Sequence, residues 1–533
     1  MRVLLVTGKL AENIVCDSAN QQDAIQVSVK VMPTSVAALL TPEQISKELQ
    51  HEDVKRYDLV LIPGMVRGNT SEIEKSIGVP VFKGTRYASD ISFLLENLNH
   101  VKLSKTDSAD SILAEGLRKR NEMILEKAEK PEKSVIDSPW NIVIGKGKST
   151  GLAVGRDFPM RVAAEILDAP NLSNEEILKK AAYYLESGAQ IIDIGMLAGE
   201  PRPDDARRVI TLLREKLRVP ISIDSLSPED IEAGLQSGVD MVLSFNSSNL
   251  EKISYNKEMT GTAIVVIPDR KENTKETASD DSVRDRVASL EKNIEKASKV
   301  GFKRIIADLI MDPLVFPGIM TSLIASRSFS KNQPNVPLMF GVGNVTELID
   351  ADSIGVNATV AGIAQELNAA LLLTTEGSTK TRGTVREFAT ACKVMYLAKK
   401  RNAPPKDLGI DLLRLKEKRR RDIPYEKLPV NEREVKVLEA ERGVEPRTDQ
   451  KGFFRINIDQ DGGKIVVSHF KGKTGELDIV VQGNEPLEIR DTLNKLGLLS
   501  TLEHAYYLGT EVEKAYIASR INRSYYQDEE LFV

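Results

Sequence analysis

Short apolar runs that stop at an acid or an amide recur through the middle of this chain, and such ends are where chemistry would gather. PISIDS, residues 220–225, stops at Asp224 and Ser225, and DMVLSFNSSN, residues 240–249, runs into Asn246. The amphipathic stretch SPEDIEAGLQSG joins them, so the pair reads as one strand–helix–strand unit. A carboxylate accepts from two neighbouring ring N–H groups, and an amide beside it both donates and accepts. Together they suit a ring edge in which a cyclic amidine adjoins an amide. Other runs end alike: Glu165 closes RVAAEI, Asp193 lies in QIIDIG, Asp312 follows RIIADLIM and Asn344 follows PLMFGV. After AALLLT comes EGSTKTRG with Lys380 and Arg382. Taken singly, an Asp after a strand caps the next helix about as often as it binds a ligand; recurrence at several strand ends favours a site.

The rest of the composition narrows the chemistry. The four histidines are His51, His100, His469 and His504, so residues 101–468 contain none. Acid–base work in that span falls to Asp, Glu, Asn, Lys and Arg, which disfavours metallohydrolase and triad readings; no metal is expected. Cys16 and Cys392, the two cysteines, exclude a disulfide framework and suit a reducing, cytoplasmic setting. A net charge of −5 with mixed signs predicts neither a nucleic-acid nor a membrane surface. MRVLLVTGKL reads as a first strand rather than a signal peptide.

These residues need a scaffold, and 533 residues exceed one core. Residues 1–137 alternate strand and helix (RVLLVTG, IQVSVKVM, YDLVLIPG, PVFKG), the pattern of a doubly wound Rossmann-like α/β domain. Its turns Gly64–Thr70 and Gly84–Ser89 could face an anion, but turn chemistry explains them better in the absence of a full phosphate-binding motif. Residues 138–402 hold a hairpin, NIVIGKGKSTGLAVG, and then eight strand candidates separated by helical stretches, which predicts a central (β/α)8 TIM barrel with the hairpin plugging its bottom. In that fold the strand ends above open into one mouth. Residues 403–447, with the run RLKEKRRRD, read as a charged helical linker, and residues 448–533 as a small α+β domain with two strands about an Asp-Gly-Gly turn.

With these motifs in order, residues 140 to about 400 resemble the pterin-binding barrel family of dihydropteroate synthases and of methyltransferases that use methyl-tetrahydrofolate or methyl-tetrahydromethanopterin. The resemblance rests on IIDIG (191–195), PISIDS, DMVLSFNSS, MDPLVFP (311–317) and FGVGNV (340–345). Pterins carry the ring edge described above. The resemblance implies that Asp224, Asn246 and Asp312 hold that edge, with Asp193 beside them and Asp308 a lesser substitute for Asp312. Synthases carry a Ser-Arg-Lys run after the seventh strand, where this chain has Gly343, Asn344 and Val345. The methyltransferase branch has Asn in a similar context, and an amide can hydrogen-bond the pterin N5 region in either protonation state. Lys380 and Arg382 point the other way, because barrels commonly bind phosphate after the eighth strand and two cations suit a diphosphate leaving group. GEPRPDDARR, with Arg202, is similar to the synthases' second loop but lacks their Ser-Thr-Arg-Pro-Gly run.

The flanks resemble archaeal-type dihydropteroate-synthase-like proteins, with HAYYLGTEVEKA (504–515) the best match in the last domain. His504, at a helix start, is read as packed or capping rather than as a ligand. The expectation is a transferase joining a pterin to an arylamine, free or phosphorylated, in tetrahydromethanopterin-type or folate-type cofactor synthesis, with Asn344, Lys380 and Arg382 as its catalytic groups. The pterin is its substrate, no separate cofactor is required, and a homodimer is allowed for. Methyl transfer from a reduced methylpterin is the alternative, and a non-catalytic pterin-binding module the second.

Overall fold

The computed structural model describes residues 1–20, 25–145, 149–253, 259, 261–269, 280–416, 449–459, 462–521 and 523–532. The chain divides into two compact units, Met1–Leu415 and Lys416–Val533.

The first unit opens with a parallel sheet, because continuous apolar runs such as RVLLVTG suit strands covered on both faces. Its strands are β1 (Arg2–Gly8), β2 (Gln26–Met32), β3 (Leu59–Ile62) and β4 (Val81–Lys83), in the order β2-β1-β3-β4. Alternate residues of β1 go to opposite sides. Leu4 and Val6 join Ile45, Leu49 and Ile73, while Val3 and Leu5 join Leu94, Leu113 and Leu117, which is the doubly wound arrangement. The two glycine turns pack against each other. Gly64 N donates to Thr85 O at 3.0 Å, and a Cβ on Gly64 would stand 2.5 Å from Gly84 O, so this close backbone approach accounts for glycine at position 64.

A short antiparallel hairpin, β5 (Asn141–Ile144) and β6 (Leu152–Gly155), precedes eight parallel strands that close into a barrel. These are β7 (Arg161–Ile166), β8 (Ile191–Gly195), β9 (Ile221–Asp224), β10 (Met241–Phe245), β11 (Ala263–Val266), β12 (Arg304–Ala307), β13 (Leu338–Gly341) and β14 (Ala369–Thr375), with β14 pairing back to β7. All eight fall on the runs expected from sequence. Residues Ala163, Ile191, Met241, Val265, Ile306, Met339 and Leu371 fill the interior together with Ile144 and Val154 of the hairpin, so the hairpin plugs the barrel. The alternate positions Val162, Ile192, Ile223, Val242 and Ile264 face the helices.

Local chemistry sets where elements begin. Ser173 Oγ accepts from Glu176 N at 3.3 Å and Glu176 Oε2 accepts from Ser173 N at 2.8 Å, a reciprocal cap that starts the helix Asn174–Glu186. Beneath the barrel, buried Asp240 accepts from Ile221 N at 2.9 Å and from Ser149 Oγ at 2.8 Å and pairs with Arg214, tying the bottom of β9 to the plug. The last barrel helix, Thr384–Arg401, ends in Arg401, whose guanidinium pairs with buried Asp90 and lies 4.5 Å from the Tyr87 ring centroid. That contact joins the N-terminal sheet domain to the barrel within the first unit.

Of the charged stretch 403–447, residues 417–447 lie outside the described residues, and with them the helix expected there. The second unit, considered by itself, is an antiparallel sheet of β15 (Gly452–Asp459), β16 (Lys464–Lys471) and β17 (Leu477–Gly483) with two helices, Pro486–Leu496 and Leu502–Arg520. Part of its Asp-Gly-Gly turn, Asp461, also lies outside the described residues. Its core gathers Phe454, Ile456, Ile465, Val467, Ile489, Leu493, Leu508 and Val512. His504 Nδ1 stands 3.1 Å from Asp449 Oδ2, and the ring packs 5.3 Å from Phe454. Burial alone would raise the pKa of Asp449, but hydrogen bonds from Ser500, from Lys451 N and from His504 hold it well below the usual carboxylate range. His504 is thus a packed histidine that orders the junction of Asp449 with its helix. No described helix is long and apolar enough to cross a membrane.

Candidate functional site

The C-terminal ends of β7, β8 and β9 bring three acids together. In parallel register Glu165 lies opposite Asp193, Asp193 opposite Ser222 and Gly195 opposite Asp224. Ile191, two residues before Asp193, belongs to the barrel interior, so Asp193 points inward above the apolar plug. One oxygen of each of Glu165, Asp193 and Asp224 lies within 4.8 Å of the others. Asp193 is 0% exposed, whereas Glu165 and Asp224 open partly to the mouth. Gly195 makes room for this: a Cβ there would stand 2.4 Å from Glu165 Oε1.

Hydroxyls from neighbouring strands hold two of the acids. Ser222 Oγ donates to Asp193 Oδ1 at 2.5 Å, and Ser244 Oγ donates to Asp224 Oδ1 at 2.6 Å. Among the described residues, Asp193 Oδ2 is buried with no hydrogen-bond partner. Burial, then the neighbouring charges of Asp224 and Asp168, push Glu165 up to about 7. Burial also raises Asp193 well above the usual range, reinforced by Asp224 and Glu165, and raises Asp224 against the opposing Ser244 hydrogen bond. Three carboxylates this close cannot all be ionised at neutral pH without a compensating positive charge.

Asn246 follows β10 and starts the short helix Ser247–Leu250. Its Oδ1 accepts from Ser248 N at 3.0 Å, Asn249 N at 3.2 Å and Ser248 Oγ at 2.7 Å. The carbonyl half of this amide is therefore engaged as a cap, leaving its NH2 group for a ligand. Asp312, buried after β12, pairs with Arg286 at 2.6 Å, and Arg286 also donates to Ile310 O at 3.2 Å. Asp308 instead stabilises the turn, accepting from Ile310 N at 2.7 Å. Asn344 is exposed after β13 and donates from Nδ2 to Met311 O at 2.9 Å, so the amide and Asp312 belong to one hydrogen-bonded patch. The loop after β12 that carries Asp312 is strained at Ile310 (φ 61°) and Val315 (φ 68°), β-branched residues in the left-handed region.

The basic pair after β14 is arranged differently from a paired anion clamp. Lys380 Nζ donates to Glu347 O and Ile349 O, each at 2.7 Å, and lies 3.7 Å from Asp350. Glu347 in turn accepts from Ser378 Oγ at 2.8 Å and Thr381 Oγ1 at 2.6 Å. The run EGSTKTRG is thereby folded onto the loop after β13, and Lys380 braces the two. Arg382 is exposed, with the Tyr183 phenol within reach of its charge. Arg202 is half in solvent beside Glu200 and Asp205, while its backbone N–H donates to buried Asp230 at 2.7 Å. Reasoning from the sequence placed Glu165 at a strand end without giving it a role, and missed Arg286. A signal for the latter was available: Arg286 interrupts the apolar face Val283, Val287, Leu290 of its helix, where a solvated arginine would not sit.

Comparisons with known proteins follow the same divisions of the chain. The family described as pterin binding enzyme matches residues 167–372, a family described as PterinBD-DUF4346 matches 448–528, and a family of unknown function matches 1–86. An uncharacterized protein of Methanocaldococcus jannaschii is 40% identical over 542 residues, spanning 100% of this chain and 99% of its own length. Solved dihydropteroate synthases are also similar to part of the chain. That of Stenotrophomonas maltophilia is 20% identical over 46% of this chain and 95% of its own, with a TM-score of 0.36. That of Yersinia pestis is 16% identical over 49% of this chain and 100% of its own, with a TM-score of 0.39.

Proposed function

This chain belongs to the pterin-binding, dihydropteroate-synthase-like barrel family, and from that premise we propose that it is a transferase acting on a reduced pterin seated in the barrel mouth. Asp224 accepts from the 2-amino group and N3–H of the ring. Asn246 donates from its NH2 group, and Asp312, paired with Arg286, accepts at the far end of the ring. The observation that carries pterin binding is the set of inward-facing acids on β7, β8 and β9, which presents acceptors to a ring edge rich in N–H groups.

For the reaction, the arrangement favours loss of a one-carbon group from N5 over displacement of a diphosphate. Asn344 stands beside Asp312 through Met311, where it can bond N5 whether or not that atom is protonated. An acceptor nucleophile, a thiolate or a reduced corrinoid, forms its bond to the methyl carbon as the C–N bond breaks, and the electron pair of that bond stays on N5, which leaves as a neutral amine if it already carries a proton; a mobile proton is needed, and an imidazole is not. Lys380, the expected partner of a diphosphate, instead holds two backbone carbonyls. Joining the pterin to an arylamine in tetrahydromethanopterin-type or folate-type cofactor synthesis stays as the second reading, because the loop after β14 carries a second cation, Arg382, at the surface.

The test is calorimetry with tetrahydropterin, followed by NMR of a 13C-methyl label on N5 in the presence of thiol or corrinoid acceptors. Asp224→Asn is expected to weaken pterin binding by about 1.5–3 kcal/mol, roughly ten- to a hundredfold. Asn344→Ala is expected to slow label transfer more than it weakens binding. Unchanged affinity in Asp224→Asn would remove the site, and turnover of a pterin diphosphate with an arylamine would establish the second reading.

A further inference from the structure

The last helix of the second unit, Leu502–Arg520, has two faces. Leu508, Val512 and Ala515 pack into the core beneath the sheet, as an amphipathic helix requires. On the opposite side Leu502 (90% exposed), Tyr506 (83%), Gly509, Glu513 and Ile517 (36%) recur every three or four residues and form one stripe along the helix. Single exposed apolar residues need no explanation, but these are aligned. They also adjoin a groove of about 390 Å³ between this helix and Pro486–Leu496, walled by Leu487 (57% exposed), Leu493 and Val512. Gly509 is an independent observation. It stands in the middle of a helix, where glycine is a weaker helix former than alanine, and a Cβ there would meet nothing within 4 Å. Two other helical glycines differ: a Cβ would stand 2.9 Å from the Phe93 ring at Gly116 and 3.0 Å from Ile223 at Gly234. Packing within the chain explains those two and not Gly509, whereas a second backbone passing over the stripe needs a position without a side chain.

The stripe is its own complement. When two copies of the helix lie antiparallel about a two-fold axis between Gly509 and Thr510, Leu502 of one copy meets Ile517 of the other and Tyr506 meets Glu513. Both matches fall on the same axis, and each occurs twice. Neither Tyr506 Oη nor the Glu513 carboxylate has a hydrogen-bond or ion-pair partner among the described residues, so the phenol can donate to the carboxylate across the pair. A parallel pair would instead set Glu513 against Glu513 and align the two helix dipoles, both unfavourable. Leu502, Tyr506, Ile517 and the flanking Leu487 of two copies together expose on the order of 1,000 Å² for the pair to cover, about what a specific interface needs. We propose that this face of the second unit is where two copies of the chain meet. The two helices cross most closely at Gly509, and Leu502 and Tyr506 of each copy reach Ile517 and Glu513 of the other. The pairing takes no residue from the barrel mouth and holds whatever that mouth binds.

Sedimentation velocity of the full chain over a wide range of concentration tests this, and the unmodified protein is expected to be a dimer that dissociates on dilution. Leu502→Lys and Tyr506→Lys replace side chains already exposed in one copy, so the fold is kept, and each is expected to weaken the dimer about tenfold or more. Gly509→Leu is expected to separate the copies without loss of helical circular dichroism, because leucine suits a helix with open space around it but blocks the close crossing. Oxidation of the double variant Leu502→Cys, Ile517→Cys is expected to give covalent dimers, with the unmodified chain, which keeps Cys16 and Cys392, as control. Those two positions lie roughly 22 Å apart along one helix, so a bond within one copy is excluded. A monomer at every concentration would overturn the proposal, leaving the groove to another occupant. A dimer unchanged by Leu502→Lys and Tyr506→Lys would overturn it by placing the contact elsewhere, and covalent dimers formed as readily by Leu502→Cys alone would overturn the antiparallel match.

Discussion

Glu165 shows how a single carboxyl couples the site to the stability of the fold. Its folded pKa is about 7 against an ordinary glutamate value of 4.5, so the proton is bound more tightly in the folded chain. The stability linked to that proton is fully present below about pH 4.5 and is lost as pH rises through about 7. A shift of this size corresponds to at most about 3.4 kcal/mol, and the residue is sufficiently buried for most of that to survive solvent screening. Glu165→Gln is therefore expected to match the parent near pH 4 and to exceed it by on the order of 2–3 kcal/mol at pH 8, as read by urea denaturation of the barrel at both pH values. A parent whose stability does not change between those pH values relative to the variant would mean that Glu165 is ionised in the folded state. Cost in stability for gain in a binding site is the usual pattern where like charges are packed by design of the fold.

At the scale of elements, the loops after β12, β13 and β14 form one layer of the mouth. The loop after β13 holds the other two: Asn344 bonds Met311 O, and Glu347, with the carbonyls of Glu347 and Ile349, receives Ser378, Thr381 and Lys380. Lys380→Met keeps the length of the side chain but leaves two carbonyls without their charged donor. The expected result is a loss of about 1–2 kcal/mol in chemical denaturation, with tetrahydropterin affinity within about threefold of the parent, because the group acts on the loops rather than on the ligand. Selective loss of affinity for a pterin diphosphate in that variant, with stability unchanged, would return Lys380 to an anion-binding role. The glycine turns of the N-terminal sheet teach the same lesson, since the close approach to the Gly84 carbonyl accounts for Gly64 without a ligand.

At the scale of the whole molecule, every residue assigned to the pterin site lies in Met1–Leu415, and the second unit carries a core of its own. A fragment of residues 1–415 is expected to bind tetrahydropterin as the full chain does, and one of residues 449–533 to unfold cooperatively by itself, in calorimetry and circular dichroism. Loss of pterin affinity in the shorter chain would show that the second unit contributes to the site. The sheet β15–β17 with its two helices is small, but burial of Phe454, Ile456, Val467, Ile489, Leu493 and Val512 on one face is what an independent α+β unit requires.

The sequence by itself determined the strands, their order and the identity of the barrel. Periods of two and of three to four residues are local properties, and eight of them in succession admit few closed arrangements. It also pointed to Asp224 and Asp312, because a polar residue ending an apolar run marks the mouth of such a barrel. It did not determine which of those ends meet. Glu165, Asp193 and Asp224 are separated by whole helices, and only the register of β7, β8 and β9 brings their oxygens within 4.8 Å. The pairing of Arg286 with Asp312 and the turn of Lys380 toward Glu347 and Ile349 were likewise settled in three dimensions. Charge, protonation and hydrogen bonding fall off over a few ångströms, and distances across a barrel are fixed by its closure and register rather than by the spacing of residues along the chain.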